Sequence, residues 1–359
     1  MGLWDECLFL RGAEQISTYF GKVKDTLLIM GKGFDPRACR FLGFLSQSIQ
    51  AVCLIDYTDK GDVRDEVAKE TLSQENYAEF ERLSVSLKSY EKKTPLYRDN
   101  GFNKVLVISE SVRDAFDKAF IAEYSNIAID VSAMPRAVAF SVIKRLRDIK
   151  DSTQKIQLLA CENSAYDESI HPVITTGSAE YLPGFNTFSM FAEADSDETV
   201  WIPVLGVGEE QSFNIIADFL NPLEICPVLP FPAIDIQRGE KIIRKYGSIL
   251  FQERGVEKRN IIYVPENQPV LVYQKLYETA RYYEKALNIE KNRPIKFVFS
   301  SQSSKLIDIG VLLTVLSLTK CSIKAGIVVI ENNGYHTSEY SRENEDLYCL
   351  CLDDNEFDW

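Results

Sequence analysis

The chain runs through one pattern twice, and that repetition restricts its fold more than any other feature. Short β-branched and aliphatic runs alternate with longer amphipathic stretches, the signature of strands connected by helices. The first pass predicts strands at Thr26–Met30, Ala51–Asp56, Lys104–Ile108, Asn126–Val131 and Lys155–Ala160. Between them, Pro36–Gln50, Leu72–Tyr90, Ser111–Glu123 and Pro135–Asp148 read as helices, after a helix-like lead of Trp4–Phe20. The second pass predicts strands at Val200–Leu205, Ile225–Leu229, Asn260–Val264, Ile295–Phe299 and Ala325–Ile330. Its helices are expected at Glu209–Leu220, Arg238–Glu253, Gln268–Leu287 and Ser304–Leu318.

Such alternation implies parallel sheets covered by helices on both faces. Apolar runs such as Val105-Leu106-Val107-Ile108 and Ile327-Val328-Val329-Ile330 suit strands buried on both sides. The expected fold class is therefore α/β, with two tandem Rossmann-like units whose mainly parallel sheets are flanked by helices. The expected division is 1–165, a connecting loop region 166–199 marked by Gly-Ser and Pro-Gly breakers, and 200–359. The last stretch is expected to add an edge strand around Leu347–Leu352 and to end in a short acidic tail. A chain of 359 residues is long enough for two such domains, at roughly 100–200 residues each.

Both passes open alike: Leu27-Leu28-Ile29-Met30-Gly31-Lys32-Gly33 in the first, Trp201-Ile202-Pro203-Val204-Leu205-Gly206-Val207-Gly208 in the second. Both also carry a small polar turn after the fourth strand, at 129–136 and 299–305. Two matches at equivalent places point to internal duplication. Four loops are thereby placed at the carboxyl ends of strands, where open parallel sheets bind ligands.

Gly31 and Gly33 would let a ligand approach the backbone, and the helix that follows would aim free N–H groups at an anion. Asp56 ends the second strand 23 residues after Gly33, near the spacing of the acid that holds a ribose hydroxyl in dinucleotide folds. The third glycine of that fingerprint is missing, and Asp35 with Pro36 looks instead like a helix start. Arg37 is expected to face outward in the first turn, ready for a phosphate or for Asp56. The alternative for this segment is an ordinary capped helix after a tight turn.

Ser300 to Lys305 is the most polar strand end in the chain, and Ser301, Ser303, Ser304 and Lys305 suit phosphate or ribose recognition. The alternative is a solvated loop whose serines cap a helix. Asp130 lies in an apolar strand and needs a partner, for which Arg136 or a neighbouring amide would serve. Glu209 and Glu210 make the Gly206-Val207-Gly208 turn the weaker anion candidate.

Only two histidines occur, His171 and His336, which leaves little room for multi-histidine metal chemistry. His336 is predicted on the ligand-binding edge and, with Asp130, is a weak candidate for acid–base work. No metal site is expected. The net charge of −13 opposes binding along extended nucleic acid. The apolar runs, Ile309–Leu318 among them, fall short of the ~20 residues that a membrane span needs. The start Met1-Gly-Leu-Trp-Asp-Glu-Cys has no signal-peptide pattern, and eight cysteines without a CxxC pair read as buried free thiols, so a cytoplasmic setting is expected.

The stretch Phe299–Gly310 with Ser301-Gln302-Ser303-Ser304-Lys305 resembles the ligand loop of CRISPR-associated Rossmann-fold sensor domains. In that family a Thr-Gly-Gly-Thr-Lys-like turn contacts a cyclic nucleotide; Gln302 and Ser303 stand here where the turn has glycines. Two such units in one chain are similar to the fused sensors of prokaryotic antiviral systems. The resemblance implies a nucleotide-binding sensor or regulatory component in antiviral defence, with its output passed to a protein partner. Two other functions remain open. One is an enzyme with a nucleotide-type cofactor: an NAD-consuming hydrolase, an S-adenosylmethionine-dependent transferase or a glycosyl-transfer protein. The other is an interaction scaffold without a ligand.

Overall fold

The computed structural model describes residues 8–57, 66–99, 104–169, 178–186, 197–291, 295–330 and 340–352. The chain forms two compact units, Met1–Tyr166 with Thr337–Asp358, and Asp167–His336. Each is built on a mainly parallel sheet flanked by helices, the expected Rossmann-like architecture.

In the first unit the strands lie in the order Phe9–Arg11, Asp346–Leu352, Lys155–Glu162, Asn126–Asp130, Thr26–Lys32, Ala51–Asp56, Lys88–Lys93. The last five are parallel to one another, and in chain order they read 5-4-1-2-3 across the sheet. Asp346–Leu352 runs antiparallel beside the fifth strand, and Phe9–Arg11 runs antiparallel beside it in turn.

The second sheet repeats the plan. Its order is Ile262–Val264, Val228–Pro230, Glu198–Val204, Ile295–Ser301, Ala325–Ile330, Ala179–Asn186. The five parallel strands again read 3-2-1-4-5, with an antiparallel strand beside the fifth. The two antiparallel strands have different origins. In the second unit the strand precedes the parallel set, whereas in the first it arrives from the far end of the chain. The region 200–359 is therefore not one unit: Asp346–Leu352 pairs with Lys155–Glu162 in the first sheet. Glu345 seals this return through an ion pair with Arg40 and a 2.6 Å hydrogen bond from Tyr340, and Asn163 donates to the Ser341 carbonyl at 2.9 Å.

Several elements depart from expectation. The third strand of the first sheet is Lys88–Lys93, not Lys104–Ile108. Its sequence Lys-Ser-Tyr-Glu-Lys-Lys carries no apolar run because it is an edge, and edge lysines oppose pairing with other chains. Lys104–Leu106 pairs with Tyr97–Asp99 in a hairpin off the sheet, and Ile108–Ala115 is already helical. The helix expected at Leu72–Tyr90 spans Glu66–Ser84. Trp4–Phe20 is not one helix among its described residues: Phe9–Arg11 is a strand, and Gly12, at φ +77°, makes the turn into Gly12–Phe20.

Each sheet buries large apolar side chains under its helices. Leu28, Met30, Val52, Leu54, Leu159 and Cys349 pack with Phe20, Phe41 and Leu42 in the first unit. Trp201, Val298, Val328 and Leu229 pack with Phe213, Ile216 and Tyr246 in the second. A fully buried side chain of this size contributes roughly 1.5–3 kcal/mol. Lys305–Lys320 is buried on every face from Leu306 to Leu318, a central helix rather than an amphipathic one. The cysteines of the described residues are free; Cys53, Cys161, Cys226 and Cys349 are buried, but Cys321 is exposed.

Candidate functional site

In the first sheet the strand order reverses between Thr26–Lys32 and Asn126–Asp130, and ligands of such sheets bind beyond the carboxyl ends at this switch point. Gly31, Gly33, Asp56 and Asp130 are all brought to it. The space over the two glycines is filled by the chain itself. A Cβ on Gly31 would lie 2.8 Å from Tyr57 Cε1 and 2.9 Å from Met134 Cγ. One on Gly33 would lie 2.6 Å from the Tyr57 oxygen. The Tyr57 hydroxyl reaches across the crevice and donates to the Ala133 carbonyl at 2.8 Å, so the ring bridges the second strand's end and the fourth-strand turn. The glycines are therefore required, but in this state for a tyrosine.

Asp56 precedes Tyr57 in the chain and is paired. Lys32 Nζ lies 3.4 Å from its carboxylate, 3.3 Å from Glu91 and 4.5 Å above the Tyr77 ring. Partial burial pulls the Lys32 amine down, but the carboxylates of Asp56 and Glu91 outweigh it and leave it above its ordinary value. On the helix face of the strand a cavity of ≈ 10 Å³ lies among Gly31, Lys32, Gly33, Cys39, Asn76 and Tyr77. That is room for about one water. Asn76 fixes the turn by donating to the Gly33 carbonyl at 2.7 Å and the Asp35 carbonyl at 2.9 Å.

Arg37 does not face outward. It is 3 % exposed, and its guanidinium is clamped by Asp35 through Nε–Oδ1 at 2.9 Å and Nη2–Oδ2 at 2.8 Å. It also donates to the Cys161 carbonyl at 3.3 Å and lies 5.4 Å from the Tyr166 ring. A carboxylate two residues earlier holds the arginine inward, where the bidentate fit offsets its desolvation. Asp35 accepts from the Arg37 N–H, and the helix begins only at Arg40, so the expected cap at Asp35 gives way to a turn.

Asp130 is buried at the end of the fourth strand and accepts from the N–H of Ser132 at 3.0 Å and from its hydroxyl. The amide that had been one of two expected partners thus fills that role. Burial pushes the Asp130 carboxyl up to about 7, against the opposing pull of the Ser132 hydrogen bonds. A carboxyl tuned to neutrality at a switch point is the kind of group acid–base chemistry uses, although structural networks produce the same shift.

The second unit's switch point is closed differently. A Cβ on Gly206 would lie 1.8 Å from the carbonyl oxygen of Gln302, whose N–H donates to the Val204 carbonyl at 3.1 Å. Here backbone meets backbone. The serines of the fourth-strand turn work within the fold. Ser300 accepts from Trp201 Nε1 at 3.0 Å, and Ser301 donates to Asp308. Ser304 caps Lys305–Lys320, accepting from the Ile307 N–H at 3.4 Å. Ser303 and Lys305 are half-buried at the same strand end. Glu266, which accepts from the Ile234 N–H at 2.9 Å, forms a buried ion pair with Arg238 close by. Glu209 is engaged by the Ser212 hydroxyl at 2.7 Å.

His171 and His336 lie outside the described residues. Among the described residues no group of three or more His, Cys, Asp or Glu could hold a metal, and no helix is long and apolar enough to cross a membrane. Tyr57 and Asn76 are the site residues that sequence reasoning missed, and Asp35, expected as a helix cap, clamps Arg37 instead. The available signal was the adjacency of Tyr57 to the strand-ending Asp56.

Fold and site together define a tandem Rossmann-like α/β protein with two unequal switch points. No family model matches the chain, and no curated protein matches it. Among solved structures it is similar to the tRNA methyltransferase TrmK of B. subtilis, at 11% identity over 49% of this chain and 62% of that one, with a TM-score of 0.24. A putative tRNA methyltransferase of Streptococcus pneumoniae, in complex with S-adenosyl-L-methionine, matches at 13% identity over 46% of this chain and 64% of its own, TM-score 0.23. PKMT2 from Rickettsia typhi, in complex with AdoHcy, matches at 10% identity over 94% of this chain and 52% of its own, TM-score 0.24. The chain thus spans less than two thirds of each, and likeness of this degree carries no argument about activity.

Proposed function

We propose that the protein is a regulatory component that binds a nucleotide-type ligand at the switch point of its first unit. Asp56 is the acceptor for ribose hydroxyls, exchanging its contact with Lys32 for them. The main chain of Gly31–Gly33 faces the ligand, and the second unit is a closed counterpart. One observation carries the reading: the closest atoms over Gly31 and Gly33 belong to side chains, which can rotate, and the nearest main-chain atom over Gly33 is 3.8 Å away, whereas a main-chain carbonyl comes to 1.8 Å at Gly206. The output passes to a protein partner, in the manner that the resemblance to antiviral sensors implies.

The test is a thermal-shift panel of ATP, NAD, ADP-ribose, S-adenosylmethionine and cyclic oligoadenylates. A ligand at ~100 times its dissociation constant adds about 2.7 kcal/mol to the folded state. The expected result is a shift with at least one compound, lost in Asp56→Ala. A shift that survives Asp56→Ala but is lost in Lys305→Ala would move the site to the second unit. No shift with any compound would favour the scaffold.

A second reading has Asp130 in its favour. Its carboxyl, titrating near 7 at the same strand end, suits a proton acceptor in a transferase or hydrolase that consumes the ligand. Product formation from NAD or S-adenosylmethionine, abolished in Asp130→Asn, would support it; unchanged cofactor would remove it.

A further inference from the structure

Tyr57 behaves as an occupant of the site rather than as part of its wall. Its ring covers Gly31 and Gly33 at distances that leave no space for a Cβ, and it is only 8 % exposed. Its hydroxyl ends on the Ala133 carbonyl, an acceptor at the tip of the fourth-strand turn on the other side of the crevice. Glycine at both positions leaves this place bounded by main chain, with Met134 as the side-chain neighbour at Gly31. Asp56, the group expected to take ribose hydroxyls, precedes Tyr57 in the chain. Its carboxylate is held by Lys32 while Tyr57 is in place.

From this we infer that Tyr57 is an intrinsic gate: its ring occupies the place of the ligand's own ring, and ligand enters only when Tyr57 swings out. The ligand this selects is a nucleoside carrying a hydrogen-bond donor, which replaces the Tyr57 hydroxyl on the Ala133 carbonyl. A planar or sugar ring meets the two glycines as the phenol ring does now. The inference rests on the proposed nucleotide-type ligand and adds its control. A closed gate lowers apparent affinity by the fraction of molecules in which it stands open. Removing the gate therefore tightens binding, whereas removing an ordinary contact residue weakens it.

The test measures adenosine binding by titration calorimetry to the full-length protein and to Tyr57→Ala and Tyr57→Phe. Tyr57→Phe keeps the ring and loses the hydroxyl's hydrogen bond to the Ala133 carbonyl, typically worth ~0.5–1.5 kcal/mol, so it should bind about 2- to 12-fold tighter. Tyr57→Ala should bind tighter still, at least tenfold beyond the unmodified protein. Melting curves establish that each variant is folded, and Tyr57→Phe keeps the test decisive if Tyr57→Ala is not. Weaker or unchanged binding in the folded variants, with adenosine bound by the unmodified protein, would overturn the gate and leave the ligand site standing. Binding to none of the three proteins would overturn gate and nucleoside site together. Binding that appears only in the variants would support both.

Discussion

In the first unit the nearest atoms over the strand-one glycines belong to the side chains of Tyr57 and Met134; in the second the nearest belong to the main chain of Gln302. Both sheets have parallel strands ordered 3-2-1-4-5 and an antiparallel strand beside the fifth. The shared strand order gives two equivalent crevices, and the difference lies in what must move to open each. In the first a tyrosine rotates about its side-chain bonds and gives up its hydrogen bond to the Ala133 carbonyl. In the second two packed loops must separate, breaking the Gln302 N–H to Val204 carbonyl bond and displacing Ser304 at the head of a buried helix. Equal topology therefore does not mean equal access.

The comparison can be broken at several points. The largest effect is expected from Glu266→Ala, which leaves Arg238 buried without its carboxylate beside the second switch point. Loss of one partner of a buried pair costs about 3–5 kcal/mol, and urea unfolding should show it. Next comes Gly206→Ala. A Cβ 1.8 Å from a carbonyl oxygen forces the loops apart, and overpacking of that kind costs about 3 kcal/mol. The same substitution at Gly33 should cost about 1 kcal/mol, because the neighbour that yields is the Tyr57 hydroxyl with its hydrogen bond to the Ala133 carbonyl. Equal losses at Gly206 and Gly33 in matched denaturation curves would erase the distinction between the units.

Asp130 provides a pH signature for the first unit. Its folded carboxyl titrates at about 7, above the ordinary 3.8. Between those values the folded state holds a proton that the unfolded state has released, so the contribution of Asp130 to stability falls as pH rises and levels off above about 7. Asp130→Asn removes this dependence. The stability of Asp130→Asn relative to the unmodified protein should rise between pH 4.5 and 7.5, by on the order of 1 kcal/mol or more. A flat difference would mean that Asp130 is ionised throughout.

Much of the architecture was legible in the primary structure because both passes bury strands from two sides, and Ala51–Asp56 and Ala325–Ile330 have the expected bounds. Lys88–Lys93 was not legible, because an edge strand carries no buried run to betray it. Asp346–Leu352 could be read as a strand, but its sheet could not. Its partner, Lys155–Glu162, lies on the other side of the whole second unit in the chain, and pairing at that separation leaves no local trace. The site divides the same way. Gly31, Gly33 and Asp56 announce themselves by spacing and do meet at the switch point. Arg37 was misplaced because its inward turn depends on Asp35 and Tyr166 together. Tyr57 was missed because filling a crevice is a tertiary fact.

The most direct measurement is hydrogen exchange of the full chain with and without a compound that shifts its melting temperature, resolved by peptide across both switch points. Ligand is expected to slow exchange around Gly31–Phe34 and in the turn after Asp130, while 204–208 and 300–304 exchange as before. Slowing at 300–304 with none around Gly31 would contradict it and place the ligand on the second unit.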